Sequence, residues 1–542
     1  LWAVVGSGST LAASNTILTD REYYALRCEY LINPIGIDVP APRFSWKIRD
    51  GRTGARQTVY RIIVGTDSAA VAAGKGDQWD TGEQISDANL VVYAGQPLRS
   101  FTRYYWTVEG KDMYGEIYQR APVAFFETAM LSTADWQGSW ISDGRDMQYR
   151  PAPYFRKAFQ TQKTIRAARV YIAVAGLYEL YLNGERVGDQ RLDPMFTRYD
   201  RRILYVTHDV TELLRQGDNA IGVVLGNGWY NHQALAVWNF DRAPWRNRPA
   251  FCLDLRITYT DGSIETIASG LDWKTGEGAI VSNNIYTGEH HDRRRVQPEW
   301  AAPAFADSAW RPVSYRSAPA QHIVAQALHP IRLTEEIQPR SMTRIDSVTY
   351  LFDLGRNIAG VTKLTVSGPA GTVLRLKHGE RLGQDGRVDL SNIDVYYRPV
   401  DDTDPFQTDI VTLNGEGVEV FMPAFNYKGF RYVEVTADRP IWLDTSSVVG
   451  YFMHSDVPPV GRIRSSDPLI DRIAWAANNS YLSNLFGYPT DCPQREKNGW
   501  TGDGHFAIET ALFNFDGITI YEKWLADHRD EQQPNGVLPD II

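Results

Sequence analysis

The chain has 542 residues, of which 43% are hydrophobic and 22% are charged, and its formal net charge is -9. These values are typical of a soluble globular protein with several apolar cores, and the length predicts about three to five domains. Because an anionic chain does not attract a phosphate backbone, we expect no nucleic-acid partner. The 16 Trp and 29 Tyr residues suit sugar binding, but Trp and Tyr are equally ordinary core residues.

The first 20 residues differ in pattern from the rest of the chain. The segment LWAVVGSGSTLAAS carries no charge and ends in the small residues Ala12, Ala13 and Ser14. This pattern predicts the apolar core and cleavage end of a secretory signal without its basic start; a disordered tail is the alternative. We therefore expect a secreted or periplasmic protein. No other segment approaches about 18 consecutive apolar residues, so we expect no membrane insertion.

Three β-rich domains are predicted next. Residues 21–132 contain short strands such as PRFSWKI and TVYRIIVGT and predict an immunoglobulin- or fibronectin-like sandwich. Residues 133–325 predict a larger accessory sandwich, in which Asn183-Gly184 marks a hairpin and Thr260-Asp261-Gly262 a tight turn. Residues 326–455 predict a third β-domain with clear strands in YLFDLGRNIAGVTKLTVSG and FRYVEVTA.

Residues 456–542 have the pattern of an all-α segment. Ser466-Asp467-Pro468 predicts a helix start, because Asp supplies a capping oxygen and Pro suits the first turn. Helical apolar spacing follows in PLIDRIAWAANNSYLSNLF, and further helices are predicted in GHFAIETALFNF and TIYEKWLADHRDEQQ. Since three helices leave their apolar faces without partners, we expect a larger helical domain of which this chain carries only the beginning.

The densest polar cluster, TDCPQREKNGWTGDGH, follows the first predicted helix. Its chemically capable side chains are Asp491, Arg495, Glu496, Trp500, Asp503 and His505. We expect a loop in which Gly499 and Gly502 allow sharp turns, so that the three carboxylates surround one site. Sugar hydrolysis needs such a set, since one carboxylic acid protonates the leaving oxygen while a second carboxylate acts as base or nucleophile. The alternative is a structural loop whose Asp side chains cap helices.

The segment DCPQREKNGWTGD, continued by HFAIETALFNFD, closely resembles the signature of the bacterial inverting α-L-rhamnosidases, glycoside hydrolase family 78. The resemblance implies that the segment opens an (α/α)6 barrel, here truncated, after three all-β sandwich-like domains. It implies that Glu496 is the general acid and that the rhamnose pocket is lined by Asp491, Arg495, Trp500 and Asp503.

The family's general base is a Glu late in the barrel, and no position of this chain corresponds to it. The remaining Glu residues of the helical segment, Glu509, Glu522 and Glu531, are interpreted as scaffold. We therefore expect the base to lie beyond Ile542.

The resemblance extends from about residue 24 to the end of the chain. LRCEYLINPIGIDVPAPRFSWKI is similar to the family's N-terminal sandwich, and NNIYTGEHHD to its accessory domain, which binds rhamnose in some members. In that motif Tyr286, Glu289 and Asp292 are candidates to face a ligand, with a structural turn as the alternative. FDLGRNIAGV, LKHGERL and FNYKGFRYVEV are similar to the domain before the barrel, with Lys428 where His is frequent.

The predicted function is therefore removal of terminal α-L-rhamnosyl units from a rhamnose-containing oligosaccharide or glycoside by acid/base hydrolysis. The implied reaction needs no metal or organic cofactor, and Cys28, Cys252 and Cys492 form neither a disulfide framework nor a CxxC metal site. A carbohydrate-binding protein without turnover, and a glycosidase of the same fold acting on another sugar, remain alternatives. The aglycone, the oligomeric state and any calcium site are left open.

Overall fold

The computed structural model describes residues 21–236, 238–398 and 403–542, and the chain divides into two compact units, Leu1–Leu131 and Ser132–Ile542. The predicted secretory leader, 1–20, lies outside the described residues and stays a prediction. Among the helices that the structure describes, none has the length and apolar character needed to cross a membrane.

The first unit is a two-sheet sandwich, as predicted for residues 21–132. Its described strands form a sheet of order β1-β3-β7 and a sheet of order β2-β9-β8-β4-β5, with β6 against β4. Trp46 of one sheet and Trp106 of the other are both buried in the shared core. In such a sandwich, apolar residues that alternate along each strand face the core between the two sheets. The elements are β1 (Arg21–Cys28), β2 (Ile35–Ile37), β3 (Arg43–Asp50), β4 (Gln57–Gly65), α1 (Ser68–Ala72), β5 (Trp79–Asp80), β6 (Gln84–Ile85), β7 (Leu90–Val92), β8 (Arg103–Asp112) and β9 (Ala124–Thr128).

The second unit begins with a larger sandwich. Within the described residues, its sheets have the orders β24-β10-β18-β12-β15-β25, with β19 on β18, and β14-β13-β16-β11-β20-β23. The predicted hairpin is confirmed, because Leu182 pairs with Glu185 across Asn183 (φ 55°) and Gly184 (φ 90°). The strands are β10 (Ile141–Ser142), β11 (Pro153–Thr161), β12 (Ile165–Ala175), β13 (Leu177–Leu182), β14 (Glu185–Arg186), β15 (Arg202–Asp209), β16 (Gly217–Gly226), β17 (Leu235–Ala236), β18 (Ala250–Tyr259), β19 (Ile264–Ala268), β20 (Lys274–Glu277), β21 (Ile280–Asn283), β22 (Glu289–Asp292), β23 (Arg311–Pro312), β24 (Ser314–Tyr315) and β25 (His322–Ala325).

Two strands of the predicted accessory domain belong to the sheet of the domain that follows it. In the described part of the chain this sheet has the order β21-β22-β31-β29-β33-β28-β34-β26, with β27 and β32 paired to β28. β22 runs parallel to β31, with His290 opposite Ile410, and β17 pairs with β30 in a separate ribbon. The later strands are β26 (Ile331–Ile337), β27 (Ser341–Arg344), β28 (Thr349–Val366), β29 (Val373–Gly379), β30 (Tyr397–Arg398), β31 (Thr408–Thr412), β32 (Glu419–Phe421), β33 (Lys428–Ala437) and β34 (Val448–Ser455).

The C-terminal region is helical. α2 (Pro468–Ser483) begins as predicted, since Asp467 accepts a hydrogen bond from the Leu469 amide and Pro468 occupies the first turn. α3 (Thr501–Asn514) and α4 (Ile518–Glu531) follow. Large apolar side chains of these helices remain exposed, among them Ile473, Trp475, Phe506, Phe513 and Leu525. The helices therefore present apolar faces that the described residues do not cover.

Candidate active site

The polar cluster lies on the segment that joins α2 to α3, but the segment ends earlier than predicted. α3 begins at Thr501, so Gly502 and Asp503 form part of its first turn, and Asp503 is exposed. The predicted sharp turns at Gly499 and Gly502 are wrong, because neither residue has a positive φ; that conformation belongs to Lys497 (φ 57°). Asp503 makes no side-chain hydrogen bond or ion pair with another described residue, although its carboxylate is favourably placed at a helix N-terminus.

Glu496 lies in a nearly closed environment at the centre of this segment. Its residue is 8% exposed, and its Oε2 accepts a hydrogen bond from Trp500 Nε1 at 2.7 Å. Its backbone carbonyl accepts a second bond, at 2.6 Å, from the hydroxyl of Tyr286. The carboxyl group and the backbone of Glu496 are thus held by two different domains.

Asp491 is the second carboxylate of the segment and lies close to Glu496. Its Oδ1 accepts from the Asn498 amide at 3.0 Å, and its Oδ2 accepts from the thiol of Cys492 at 2.7 Å. Burial raises the pKa of Asp491 above its ordinary value, and the charge of Glu496 raises it further, while the bonds from Cys492 and Asn498 oppose the shift. Burial and Asp491 together raise the pKa of the Cys492 thiol to about 11.

Arg495 joins this group from the same segment and meets a carboxylate that the sequence analysis did not select. Its side chain hydrogen-bonds to Cys492, and its charge lowers the pKa of Glu380, although burial outweighs it and raises that pKa overall. Gln494 Nε2 donates to Glu380 Oε2 at 3.0 Å. Glu380 follows β29 within the motif LKHGERL, so the motif marked it without indicating what it contacts.

A buried lysine, Lys497, connects this segment to the preceding β-domain. Lys497 Nζ donates to the carbonyl of Pro493 at 2.6 Å and to the carbonyl of Tyr427 at 2.8 Å, and it lies 3.7 Å from the centroid of the Tyr427 ring. Burial lowers the pKa of Lys497 well below its ordinary value. Since Lys497 adopts a left-handed backbone conformation that is unusual for a residue with a side chain, these contacts hold the chain in a strained turn.

Lys428, which stands where the resemblance leads us to expect His, is also buried. Its Nζ donates to both carboxylate oxygens of Asp409 at 2.8 Å. Burial lowers the pKa of Lys428, and the partner Asp409 opposes that shift. Asp409 Oδ1 also accepts a hydrogen bond from the amide of Glu289. The ion pair therefore connects β33 to β31, and the further hydrogen bond connects β31 to β22.

The aromatic wall of the site has members from two domains. Trp500 precedes α3, and the ring of Trp238 lies 5.5 Å from it at an interplanar angle of 76°. Trp238 was not among the candidates, since a Trp in the segment AVWNFDRAPW has no local pattern that distinguishes it from a core residue.

Tyr286, Glu289 and Asp292 have structural contacts. Tyr286 is buried and bonded to Glu496, while Glu289 Oε2 accepts from the amides of Ala424 and Phe425. Burial raises the pKa of Glu289 to about 8. Asp292 caps the 3-10 turn Arg293–Arg295 by accepting from the Arg294 amide. These contacts favour the structural turn over a second sugar site at this motif.

The structure therefore brings Glu496, Asp491, Arg495 and Trp500 together and leaves Asp503 at the exposed rim of α3. The Glu residues interpreted as scaffold remain outside this group; Glu531 pairs with Arg198 at 2.9 Å, and Glu509 is exposed on α3. In residues 21–236, 238–398 and 403–542, no three His, Cys, Asp or Glu side chains form a group that could hold a metal ion.

Four family models match successive parts of the chain. They are a Rha78A-like N-terminal immunoglobulin domain at 23–132, an alpha-L-rhamnosidase N-terminal domain at 163–335, a bacterial alpha-L-rhamnosidase concanavalin-like domain at 343–454 and a bacterial alpha-L-rhamnosidase 6 hairpin glycosidase domain at 458–542. Together they span most of the chain in the order of the observed domains.

Relatives with known names or structures agree with these matches. An alpha-L-rhamnosidase of Formosa agariphila is 31% identical over 93% of this chain and 55% of its own length. The structure of alpha-L-rhamnosidase from Dictyoglumus thermophilum is 36% identical with a TM-score of 0.89, over 96% of this chain and 59% of that chain. The Streptomyces avermitilis alpha-L-rhamnosidase complexed with L-rhamnose is 26% identical with a TM-score of 0.90, over 96% and 66%.

The chain thus spans between 55% and 66% of the length of these relatives. The family models that match this chain, and the agreement of its fold with the solved structures, confirm the resemblance found in the sequence. This chain therefore belongs to the bacterial α-L-rhamnosidase family, glycoside hydrolase family 78.

Proposed function

We propose that the chain carries the acid half of an active centre that removes terminal α-L-rhamnosyl units from glycosides. The observation that carries the proposal is the Glu496 carboxyl, nearly closed off from water, with Oε2 held by Trp500 Nε1 and Asp491 close by. A general acid must be held at a fixed position beside the leaving oxygen, and the bond from Trp500 holds the Glu496 carboxyl in this way. The relative bound to L-rhamnose supports the choice of sugar.

In the proposed reaction, Glu496 donates its proton to the glycosidic oxygen. Because Trp500 Nε1 already donates to Oε2, Oε1 is the oxygen left to carry that proton. Asp491, Arg495 and Asp503 would bind rhamnose hydroxyls, and the Trp500 ring would form an apolar wall. Inversion then requires a base that activates water on the opposite face of the sugar, with the two carboxyl groups roughly 6.5–9.5 Å apart.

We assign that base to the part of the relatives' length that this chain does not span. The exposed apolar faces of α2, α3 and α4 fit this assignment, since further helical hairpins would cover them and complete an (α/α)6 barrel. The proposed substrate is a rhamnose-containing oligosaccharide or glycoside, and the leader pattern of residues 1–20 supports a secreted or periplasmic location.

The test is release of rhamnose from p-nitrophenyl and methyl α-L-rhamnoside by this chain and by the gene product extended to its natural stop. We expect activity only in the extended protein. Glu496→Gln should lower kcat on the methyl glycoside by about 10²- to 10⁴-fold and on the nitrophenyl glycoside much less, because nitrophenolate leaves with little protonation.

Glu416→Gln, the same substitution at an exposed position between β31 and β32, is the matched control and should leave both rates unchanged. An equal loss on both substrates in Glu496→Gln would contradict the acid role. Binding of rhamnosides without turnover by the extended protein would instead favour a carbohydrate-binding function.

A further inference from the structure

A loop of the accessory domain, described by the structure over residues 227–236 and 238–246, reaches the candidate active site. Its base is held firmly: Asn227 Nδ2 donates to the Asn283 carbonyl at 3.0 Å, and Asn231 Nδ2 donates to the Met147 carbonyl at 2.9 Å. Farther along, β17 of this loop pairs with β30 of the following domain. The described part of the loop is therefore anchored at its base and at β17, and Trp238 is two positions beyond the end of β17.

Trp238 belongs to this loop and combines two properties that rarely occur together in a core residue. It is 36% exposed, and it packs edge-to-face against Trp500, the ring whose Nε1 binds Glu496. An edge-to-face contact occupies at most one face of an indole ring, so part of the Trp238 surface remains open to a ligand. Only one ring therefore separates an accessible aromatic surface from the carboxyl group of the proposed acid.

We infer that Trp238 is a specificity-determining residue that stacks on the leaving group of the glycoside. The inference rests on the proposed function, because an acid that protonates the glycosidic oxygen has the leaving group beside it. Trp500 binds the acid directly, and the next ring outward, on the more exposed side, is Trp238. Sugar rings and aromatic aglycones both offer a flat apolar face, so both are suitable leaving groups.

In this arrangement, one domain binds and protonates the rhamnoside and another domain contacts the leaving group. The helical region supplies the acid and the polar contacts to rhamnose, whereas the β-domain supplies the surface for the departing group. A change at Trp238 should therefore alter the choice of aglycone without altering the binding of rhamnose itself.

The experiment compares wild type, Trp238→Ala and Trp238→Phe in the gene product extended to its natural stop. Trp442→Ala is the control, since Trp442 is a 73% exposed tryptophan elsewhere on the protein. The substrates are p-nitrophenyl α-L-rhamnoside and a rhamnosyl-glucose disaccharide, which offer a face for stacking, and methyl α-L-rhamnoside, which does not. Inhibition by free L-rhamnose reports on the rhamnose pocket alone.

Trp238→Ala should raise KM for the nitrophenyl glycoside and the disaccharide by about three- to tenfold, the usual effect of losing one aromatic contact. KM for the methyl glycoside and Ki for L-rhamnose should stay unchanged, and Trp238→Phe should retain part of the effect. A parallel loss for all ligands, including L-rhamnose, would place Trp238 in the rhamnose pocket and overturn the inference; so would no change at all.

If wild type hydrolyses none of the substrates, the proposed function fails separately. Calorimetric titration then decides the inference, with p-nitrophenyl and methyl α-L-rhamnoside as the ligands. Loss of affinity for the nitrophenyl glycoside alone in Trp238→Ala would support it, and equal affinities in the variant and wild type would refute it.

Discussion

Tyr286→Phe removes one hydroxyl group and tests whether the accessory domain positions the proposed acid. The hydroxyl donates to the Glu496 carbonyl at 2.6 Å, while the ring packs edge-to-face on Trp229 and His232, with centroids 5.5 and 5.3 Å away. Phenylalanine keeps these ring contacts. Burial raises the pKa of Tyr286 well above its ordinary value, so the hydroxyl keeps its proton, and the bond, at every pH at which the enzyme would work.

The magnitude follows from the burial of the carbonyl that loses its donor. Leaving a buried polar group without its partner costs about 1–3 kcal/mol. We expect the free energy of unfolding to fall by about that amount, and we expect Glu496 to move because the bond is on its own peptide group. A small displacement of a catalytic group lowers kcat substantially, so kcat on methyl α-L-rhamnoside should fall about tenfold and kcat on the nitrophenyl glycoside much less.

Tyr350→Phe is the matched control for this prediction. Tyr350 is 1% exposed and donates to the Ile441 carbonyl at 2.8 Å, within the β-domain core. The two variants should lose similar stability in urea unfolding, but only Tyr286→Phe should show the difference between leaving groups. Equal kinetic effects in both variants would refute a positioning role for Tyr286.

Two further predictions concern the acid's partner and the response to pH. Trp500→Phe keeps an aromatic ring but removes the hydrogen-bond donor to Glu496 Oε2. We expect kcat on methyl α-L-rhamnoside to fall about tenfold, the usual effect of losing one hydrogen bond to an ionisable group. An unchanged kcat would show that this bond does not contribute to catalysis. Burial lowers the pKa of His232 and His378 to about 3, so between pH 6.5 and about 3 the unfolded chain binds these protons while the folded chain does not. The free energy of unfolding should therefore decrease as the pH falls through this window, by about 1.4 kcal/mol per histidine and pH unit. Urea titrations at pH 7, 6 and 5 measure this dependence, and the free energy of unfolding of His232→Phe should change less steeply with pH than that of the wild type.

The start of α3 shows a limit of secondary-structure prediction from local sequence. The sequence pattern places Thr501, Gly502 and Asp503 in the loop and begins the helix at Gly504, and both Gly and Asp have low helix propensity. In the structure the helix includes them, and a Cβ atom at Gly504 would lie 2.3 Å from the Trp524 ring. Glycine is thus required by close packing of α3 on α4, and that packing outweighs its poor helix propensity. Local propensity could not predict this start.

The sequence by itself determined which segment carries the candidate site residues, the β-to-α order of the domains and the start of α2. These features depend on residues that are near one another in the chain: the capping pair Asp467-Pro468, and the segment from Asp491 to Trp500. Their hydrogen bonds span only a few residues, so residue type and spacing suffice to predict them.

Only the tertiary structure decided which distant residues complete the site. Tyr286 is 210 positions from Glu496, and Glu380 is 114 positions from Gln494. Trp238 reaches the site because its loop is paired with β30, and Tyr286 because β22 joins the sheet of the next domain. Strand pairing between domains depends on packing and register over hundreds of residues, which periodicity within a short segment does not specify.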